Sequence, residues 1–494
     1  MPPEPHADRP SPWWPVGVVV ALAGATYLAF RTTREGSILG DHDQLLADIM
    51  GFWVLWAVAL GCLLRARLSR RRLLLLLVLG ATALRLAAMT VVVPLSDDVY
   101  RYAWDGSVQA AGVSPYRYAP DEAGEVEALA ERRTDWLFPD AVEGGDTCAE
   151  IGRDDGCSRI NRPSVRTVYP PLAQVWFLGG HLAGASQLRD LGWQVVALLP
   201  DVATCVLLWL VLVRSGRDPR WAAAFAWSPV AVLEGVQNAH VDGLATLLVV
   251  LAVALAGRRP AASGAALAAA ALVKLYPALL LPALLVRRPV RVVTAFVAVM
   301  AVGYLPHVLA AGSDVVGFVP GYLAEEDYDA GDRYLLLRPL WLPGPVVSVV
   351  VAVLGLAVAV AVWRRARSLA PLVAPSGGGE DRVAAGACVL LGAALLLATP
   401  VQPWYGLPLA ALAALAGRPA WFAVPALGYP VFFAVVPAGP SDAAAWTGTA
   451  CYAAALVVVV AAEVRRRVSG RAEPSSPPRP APDPAGSPPR PARS

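Results

Sequence analysis

The sequence predicts an all-α polytopic membrane protein, a bundle of about 11–14 transmembrane or re-entrant helices with a large first outer loop that carries interfacial helices. Of the 494 residues, 56% are hydrophobic and 16% are charged, whereas about a quarter of the residues of a soluble domain are charged. The apolar residues fall into continuous runs of about 16–23 residues, the length at which a helix crosses a bilayer. Strands of a membrane barrel would alternate apolar and polar residues instead, so the spans are helices.

One transmembrane domain is expected at residues 16–464, between polar segments at 1–15 and 465–494. Both flanking segments are rich in proline, and the second also in arginine, so we expect them to be disordered. The first apolar run, Val16–Phe30, has only Arg9 before it and no convincing cleavage site after it. It is therefore a retained span rather than a signal peptide. The spans are predicted near 16–30, 49–64, 73–94, 170–185, 192–213, 292–311, 345–363, 383–400, 419–436 and 447–463. The sequence leaves open whether 170–185 crosses fully.

The charge distribution predicts the orientation of the chain in the membrane. Arginine clusters occupy short loops at 65–72, 214–220, 258–260, 287–291, 364–367 and 465–471. The positive-inside rule assigns these loops to the cytoplasmic side. Segment 95–167 has fifteen acidic residues and eight arginines, so it is predicted to be the first outer loop. Segment 312–344 is predicted to be a second outer loop.

The first outer loop contains a predicted interfacial helix and a pair of cysteines. Tyr100, Trp104 and Val108 recur at helical spacing, which favours a helix at the start of the loop. Cys148 and Cys157 lie close together in the same loop, and an exterior disulfide between them is plausible. Two unpaired thiols are the alternative.

Two apolar stretches, 221–257 and 261–286, begin and end beside arginine clusters. Each is therefore predicted to be a re-entrant hairpin whose legs are shorter than about 20 residues. The tip of the first hairpin is "QNAHVDG" (237–243), and the tip of the second is "VKLYP" (273–277). Such polar, broken helices occur at membrane depth only where protein or water surrounds them.

The pair Asp97 and Asp98 directly follows a predicted span and is the strongest candidate for chemistry. Either carboxylate could act as general base on an acceptor hydroxyl, while its neighbour holds the acceptor or changes the pKa of the first through like-charge repulsion. Solvated loop charge is the alternative. The candidate residues around the pair are Tyr100, Arg101, Tyr102, Trp104 and Asp105.

Lys274 is the only lysine of the chain and lies inside an apolar hairpin. An ammonium group at membrane depth needs an anionic partner or water. It could bind the phosphate of a substrate and stabilise a leaving group, with Tyr276 and Pro277 shaping the turn. A lysine whose head reaches the interface is the alternative.

Asn238, His240 and Asp242 share the tip of the first hairpin. They are predicted to form a polar wall that contacts sugar or phosphate. Two alternatives remain: a metal site, for which two candidate ligands are too few, and side chains that satisfy the exposed backbone of a helix break.

Five further residues are candidates on weaker grounds. Tyr169, Trp404 and Tyr405 are either cavity residues or interfacial anchors, and the second interpretation is the safer one. Arg333, in the second outer loop, could close over a cavity. Asp201, a carboxylate inside an apolar span, is a functional candidate unless it pairs with an arginine of a neighbouring helix.

Four motifs carry a resemblance to a known family. They are "SDDVYRYAWDGSVQAAGVSPYRYAP" (96–120), "VYPPLAQVWF" (168–177), "NAHVDGLATLL" (238–248) and "KLYPALLLPALL" (274–285). In this order they resemble the C-type integral-membrane glycosyltransferases (GT-C), and in particular the bacterial polyprenol-phosphate-mannose-dependent mannosyltransferases. The chain departs from the simplest pattern, since two predicted spans precede the one that ends at the aspartates and the insert around the cysteines has no counterpart.

The resemblance implies a GT-C-like bundle whose first outer loop lies over a cavity. It places the catalytic base at Asp97 or Asp98, with Asp97 preferred. It also implies inverting transfer of a sugar, with mannose favoured, from a polyprenyl-phosphate donor to a hydroxyl of a glycolipid, polysaccharide or protein. Arginine in place of lysine, with abundant alanine and valine, indicates a GC-rich bacterial source. We therefore expect a multi-pass protein of the bacterial plasma membrane whose active site faces outside.

The sequence has no P-loop, no dinucleotide-binding glycine fingerprint and no HExxH motif, so a nucleotide-driven transporter or a membrane metalloprotease has no visible machinery. No cofactor, metal or nucleic-acid partner is expected. The competing hypothesis is a transporter or flippase of lipid-linked sugars, which inverted repeats would favour. A membrane scaffold without catalysis is a third possibility.

Overall fold

The computed structural model describes residues 13–34, 38, 42–89, 95–139, 158–317, 319, 321, 325, 333–369, 379–437, 439 and 441–472. These residues form helices and connecting loops, with no strand among them, as the sequence predicts. The principal helices are α1 (Trp13–Arg31), α2 (His42–Arg65), α3 (Arg70–Ala88), α4 (Asp98–Ala110), α5 (Pro171–Leu182), α6 (Arg189–Arg214), α7 (Trp221–Ala226), α8 (Pro229–Val232), α9 (Asp242–Leu255), α10 (Pro260–Ala271), α11 (Leu281–Leu284), α12 (Pro289–Ala311), α13 (Gly344–Leu369), α14 (Glu380–Leu397), α15 (Gly406–Ala416), α16 (Ala423–Val435) and α17 (Asp442–Ala472).

Within the described part of the chain, six helical segments are long and apolar enough to cross a membrane, so the protein is a polytopic membrane protein. They are Trp13–Arg31, His42–Arg65, Ser186–Arg214, Pro289–Val316, Gly344–Ser368 and Asp442–Val468. Helix α5 is different: its 12 residues span about 18 Å at 1.5 Å per residue, less than the roughly 30 Å of a hydrocarbon core. The predicted span at 170–185 therefore does not cross.

Both predicted hairpins contain broken helices at their tips. In the first, α8 continues into a π-helical turn, Leu233–Gln237, and the chain then leaves helical geometry until α9. Ala239 in this break has a φ of 52°, a left-handed conformation that is unusual for a residue with a Cβ. In the second, α10 is followed by a 3₁₀ turn, Tyr276–Leu280. Such π-turns and strained residues often occur at functional sites.

Helix α4 confirms the helix that the spacing of the aromatic residues predicts at the start of the first outer loop. It packs against α5, and the two backbones approach closely because Gly106 has no side chain. A Cβ at Gly106 would lie 2.5 Å from the carbonyl oxygen of Phe177. This contact fixes the start of α4, and with it the aspartate pair, relative to α5.

Asp201 of α6 is paired with Arg85 of α3. The guanidinium donates from Nε to Asp201 Oδ2 (2.6 Å) and from Nη2 to Oδ1 (3.1 Å), and both side chains are buried. The alternative of an arginine partner from a neighbouring helix is therefore correct. A bidentate pair of this kind holds two apolar helices in one register.

The arginine clusters meet at one end of the bundle. Arg220, just before α7, donates to Leu64 O at the end of α2 (2.7 Å), and Arg466 of α17 donates to Gly417 O after α15 (2.8 Å). Helix α14 begins near one of these clusters, since Arg258 Nη2 lies 3.7 Å from Glu380 Oε1, and α15 ends beside Arg466, whereas the turn between the two helices lines the cavity described below. The turn between them, and the start of α4, lie at the end away from the arginines.

Several predicted boundaries shift in the structure. Helix α1 begins at Trp13, inside the segment predicted to be disordered, because Pro15 is tolerated in a first helical turn. Helix α17 continues into the predicted tail as far as Ala472, since arginine is a good helix former. Helix α15, which is buried throughout, falls between two predicted spans and was not predicted. Cys148 and Cys157 lie outside the described residues.

Candidate active site

A cavity of about 660 Å³ lies at the end of the bundle away from the arginine clusters. This volume is within the range of about 300–1,000 Å³ that is typical of small-molecule sites. Eight of the predicted site residues line it: Asp97, Asp98, Arg101, Tyr169, Lys274, Tyr276, Trp404 and Tyr405. Tyr169, Trp404 and Tyr405 are thus cavity residues, and the interpretation as interfacial anchors was wrong for them.

Asp98 is the centre of a hydrogen-bond network on one wall of the cavity. Its Oδ2 accepts from the hydroxyl of Tyr169 (2.8 Å) and, at 3.4 Å, from that of Tyr102. Its Oδ1 accepts from Nδ2 of Asn161 (3.1 Å). His240 Nδ1 lies 3.5 Å from Oδ2. Both oxygens of this carboxylate are therefore engaged by protein groups.

The surroundings of Asp98 favour its charged form. Burial by itself would raise the pKa of Asp98, but the contact with His240, the charge of Lys274 and the hydroxyl of Tyr169 together hold the pKa below the usual value of a carboxyl group. A carboxylate whose pKa is lowered in this way is a weak base. It is better suited to fixing the wall than to accepting a proton.

Asp97 precedes the first residue of α4 and also lines the cavity. It is partly buried, as is Asp98. Because the two carboxylates are adjacent in the chain and face one cavity, one can organise the wall while the other meets a substrate.

Lys274 reaches the cavity from the break that follows α10. Its Nζ lies 3.0 Å from Oδ2 of Asp242, a carboxylate with no exposed surface. The ammonium group also lies over the rings of Tyr169 (5.4 Å) and Tyr405 (5.1 Å), and Tyr276 donates to Oδ1 of Asp242 (3.0 Å). The lysine is thus fixed by an anion and two aromatic faces rather than extending to the interface.

His240 is held between two carboxylates beneath the cavity lining. Its Nε2 lies 3.3 Å from Oε2 of Glu234, opposite the nitrogen that faces Asp98. Its ring stacks on the indole of Trp404 with centroids 4.1 Å apart and planes inclined by 24°. Glu234 in turn accepts from the hydroxyl of Tyr429 (2.6 Å). The histidine therefore connects the aspartate wall to the buried core.

Asn238 and Asp242 brace the hairpin tip rather than lining the cavity. Asn238 accepts at Oδ1 from the backbone N–H of Leu95 (2.7 Å) and donates to Glu234 (3.1 Å). Asn238 thereby ties the tip to the residue that precedes the aspartate segment. Among the residues that the structure describes, no group of three or more His, Cys, Asp and Glu side chains could hold a metal ion.

Four predicted site residues lie away from the cavity. Tyr100 and Trp104 pack edge-to-face on Trp136 and Phe138 in a hydrophobic cluster around α4. Asp105 is buried and accepts from Thr167 and Gln174, and its burial raises its pKa. Arg333 donates to the carbonyl of Pro400 (2.7 Å). The structure thus surrounds these four with protein contacts and does not bring them to the cavity.

Part of the cavity lining is apolar. It is formed by Leu391, Ala394 and Leu395 of α14, Phe432 of α16, and Leu279 of the 3₁₀ turn. A cavity whose lining combines charged groups with apolar side chains suits an amphipathic ligand.

Four residues that the sequence reasoning missed belong to this site. The sequence contained a signal for Glu234, because placing a carboxylate inside an apolar run costs free energy and such residues usually have a role. Asn161 and the arginines Arg162 and Arg166 had none, since they lie in a long polar loop where such residues are ordinary. Only the fold brings this loop to the cavity.

A family model described as glycosyltransferase family 87 matches residues 168–378. The match covers less than half of the chain, and it includes Tyr169, His240 and Lys274 but not Asp97 or Asp98. No curated protein and no solved structure matches the chain. The family match, with the all-helical membrane fold, supports a membrane glycosyltransferase.

Proposed function

We propose that this protein transfers mannose from a polyprenyl-phosphate donor to a hydroxyl of an acceptor, with inversion at the anomeric carbon. The observation that carries the proposal is the composition of one cavity, whose lining combines Asp97, Asp98 and Lys274 with a set of apolar side chains. A lipid-phosphate sugar has the matching parts, namely a chain, an anionic phosphate and a polar ring.

In the proposed reaction the acceptor hydroxyl attacks the anomeric carbon as the bond to the phosphate oxygen breaks. Asp97 accepts the proton of the hydroxyl. The bonding electrons leave with the phosphate, whose charge rises from one to two negative units, and Lys274 stabilises this charge. No general acid is needed, because the leaving phosphate is stable as an anion.

The role proposed for Asp98 follows from its contacts. Asp98 already accepts hydrogen bonds from Tyr169 and Asn161, and its pKa is lowered. We assign it to positioning the wall, and we assign the base to Asp97. This agrees with the preference that the resemblance implies.

The distribution of arginine supports an external active site. The arginine-rich end of the bundle is expected in the cytoplasm, and the cavity lies at the other end. A polyprenyl-phosphate sugar suits this side, because nucleotide sugars are cytoplasmic substrates. We therefore propose that the protein works at the outer face of the bacterial plasma membrane.

The test is transfer of radiolabelled mannose from polyprenyl-phosphate mannose in membranes that carry the protein. We expect Asp97→Asn to reduce transfer by about 10²–10⁴-fold, the usual contribution of a general base. Asp121→Asn, at an exposed position of the same loop, serves as control and is expected to retain activity. Undiminished transfer in both Asp97→Asn and Asp98→Asn would remove the catalytic assignment. Movement of intact donor across vesicles without transfer would favour a flippase.

A further inference from the structure

Gln402 lines the cavity with a side-chain amide that the protein itself does not use. Within the described part of the chain this amide forms no hydrogen bond, and the residue is partly exposed. Four other neutral polar side chains of the lining do form hydrogen bonds with the protein; they are Ser96, Asn161, Tyr169 and Tyr276. An amide offers one carbonyl acceptor and two N–H donors, and those of Gln402 are available to a ligand.

The turn between α14 and α15, which carries Gln402, is fixed by side chains from two other segments. Arg333 donates from Nη2 to the carbonyl of Pro400 (2.7 Å). The hydroxyl of Tyr452, on α17, accepts from the backbone N–H of Val401 (3.2 Å) and lies 3.3 Å from the carbonyl of the same residue. The backbone that leads into Gln402 is therefore held in place before any ligand binds, which lowers the entropy that binding costs.

The other end of this turn contacts the groups to which the proposed reaction assigns roles. The carbonyl of Gln402 accepts from the backbone N–H of Tyr405 (3.1 Å), and the ring of Tyr405 lies 5.1 Å from Nζ of Lys274. The indole of Trp404 stacks on His240, the histidine that contacts the aspartate network. Gln402 thus lies on the same short turn as a contact of the cation and a contact of the aspartates.

The chemistry of an amide matches the neutral part of a lipid-phosphate sugar. Its carbonyl can accept from one sugar hydroxyl while its N–H group donates to the neighbouring one. A phosphate, in contrast, forms stronger hydrogen bonds with a charged donor, and Lys274 already supplies such a group. Because the sugar is bonded directly to the phosphate, a phosphate at Lys274 places the sugar ring near this turn.

We propose that Gln402 and the turn that carries it form the sugar subsite of the cavity, in which the amide binds two neighbouring hydroxyls of the donor sugar. The inference rests on the proposed function, because it takes the phosphate of the donor to lie at Lys274. Gln402 takes no part in making or breaking bonds. It acts on specificity, since a sugar that lacks one of these hydroxyls leaves the amide with an unmade hydrogen bond.

The first test measures binding of two ligands to the purified full chain in neutral detergent. One is short-chain polyprenyl-phosphate mannose, and the other is the same polyprenyl phosphate without the sugar. Gln402→Leu removes the amide at a similar side-chain volume. We expect it to weaken binding of the mannosyl lipid about tenfold, the effect of one or two neutral hydrogen bonds, and to leave binding of the sugar-free lipid unchanged. Equal weakening of both ligands, or undiminished binding of the mannosyl lipid, would overturn the subsite.

The matched control is Gln187→Leu, at an exposed position before α6. It makes the same change of side chain away from the cavity and should leave both dissociation constants as in the wild type. A loss of mannosyl-lipid binding as large as that of Gln402→Leu would contradict a local role for Gln402.

Analogues of the mannosyl lipid that each lack one ring hydroxyl identify the pair that the amide binds. In the wild type, two of these analogues should bind several-fold more weakly than the parent lipid, because part of the amide then has no partner. In Gln402→Leu the same two should bind as well as the parent lipid does. If every analogue loses the same factor in both proteins, the amide contacts no hydroxyl and the proposal fails.

The binding measurements need no turnover, so their failure is distinguishable from failure of the proposed transferase. Mannosyl-lipid binding that depends on Gln402, in a protein that transfers no mannose, would overturn the transferase and support the subsite. Intact mannose transfer with binding that does not depend on Gln402 would overturn the subsite alone.

Discussion

The hydroxyl of Tyr169 donates a hydrogen bond of 2.8 Å to Oδ2 of Asp98, and this bond joins the segment before α5 to the first turn of α4. Hydrogen bonds to charged groups contribute about 1.5–3 kcal/mol. Tyr169→Phe keeps the ring beneath Lys274 and removes only the donor. We expect mannose transfer to fall about tenfold, the equivalent of roughly 1.4 kcal/mol. Tyr27→Phe on α1, where the tyrosine is 60% exposed, is the matched control, and a Tyr169→Phe protein with the wild-type rate would contradict this role.

The lowered pKa of Asp98 predicts how stability changes with pH. Because this pKa is lower in the folded than in the unfolded protein, where it is about 3.9, the charged carboxylate stabilises the fold fully above that pH and loses its contribution as the pH falls below it. The difference in melting temperature between wild type and Asp98→Asn should therefore be constant from about pH 6 to pH 5 and shrink below about pH 4. Above about pH 6.5 the difference should also fall as the pH rises, because burial lowers the pKa of His240 but its contacts with Asp98 and Glu234 raise it to about 9, and Asp98→Asn removes one of these contacts. Thermal unfolding in detergent across this range measures it. A difference that shrinks between about pH 6 and pH 5 would show that the pKa of Asp98 is not lowered.

The sequence predicts much of the scaffold of this site because the signals are local. Unbroken apolar runs indicate the spans, and polar tips between arginine clusters indicate the broken hairpins that carry His240 and Lys274. What the sequence does not predict is which polar groups meet. Glu234 and Tyr429 share a hydrogen bond although 195 positions separate them, and no local pattern connects them. The anchoring role first favoured for Tyr169 was wrong for the same reason, since only the packing of α4 on α5 buries it.

The pair of Lys274 and Asp242 allows structural and catalytic roles to be separated. Lys274→Met leaves a buried carboxylate without its cation, and breaking such a pair costs about 3–5 kcal/mol. Adding Asp242→Asn removes that charge while keeping an acceptor for the hydroxyl of Tyr276. We expect the double variant to regain most of the melting temperature but not the mannose transfer, because no cation then meets the leaving phosphate. Recovery of transfer together with stability would show that Lys274 serves the fold alone.

The close approach of α4 and α5 at Gly106 predicts that alanine substitutions at two glycines of these helices differ in their effect on stability. A Cβ at Gly106 would lie 2.5 Å from Phe177 O, whereas a Cβ at Gly179 of α5 would meet nothing within 4 Å. Gly106→Ala must separate the helices and should destabilise the protein by about 1–3 kcal/mol, the usual cost of overpacking. Gly179→Ala should be neutral or stabilising by up to about 1 kcal/mol, because alanine is the better helix former. Thermal unfolding measures both, and since α4 carries the aspartate pair, Gly106→Ala should also lower transfer in a folded sample. Equal melting temperatures for the two variants would contradict the packing that positions Asp97 and Asp98.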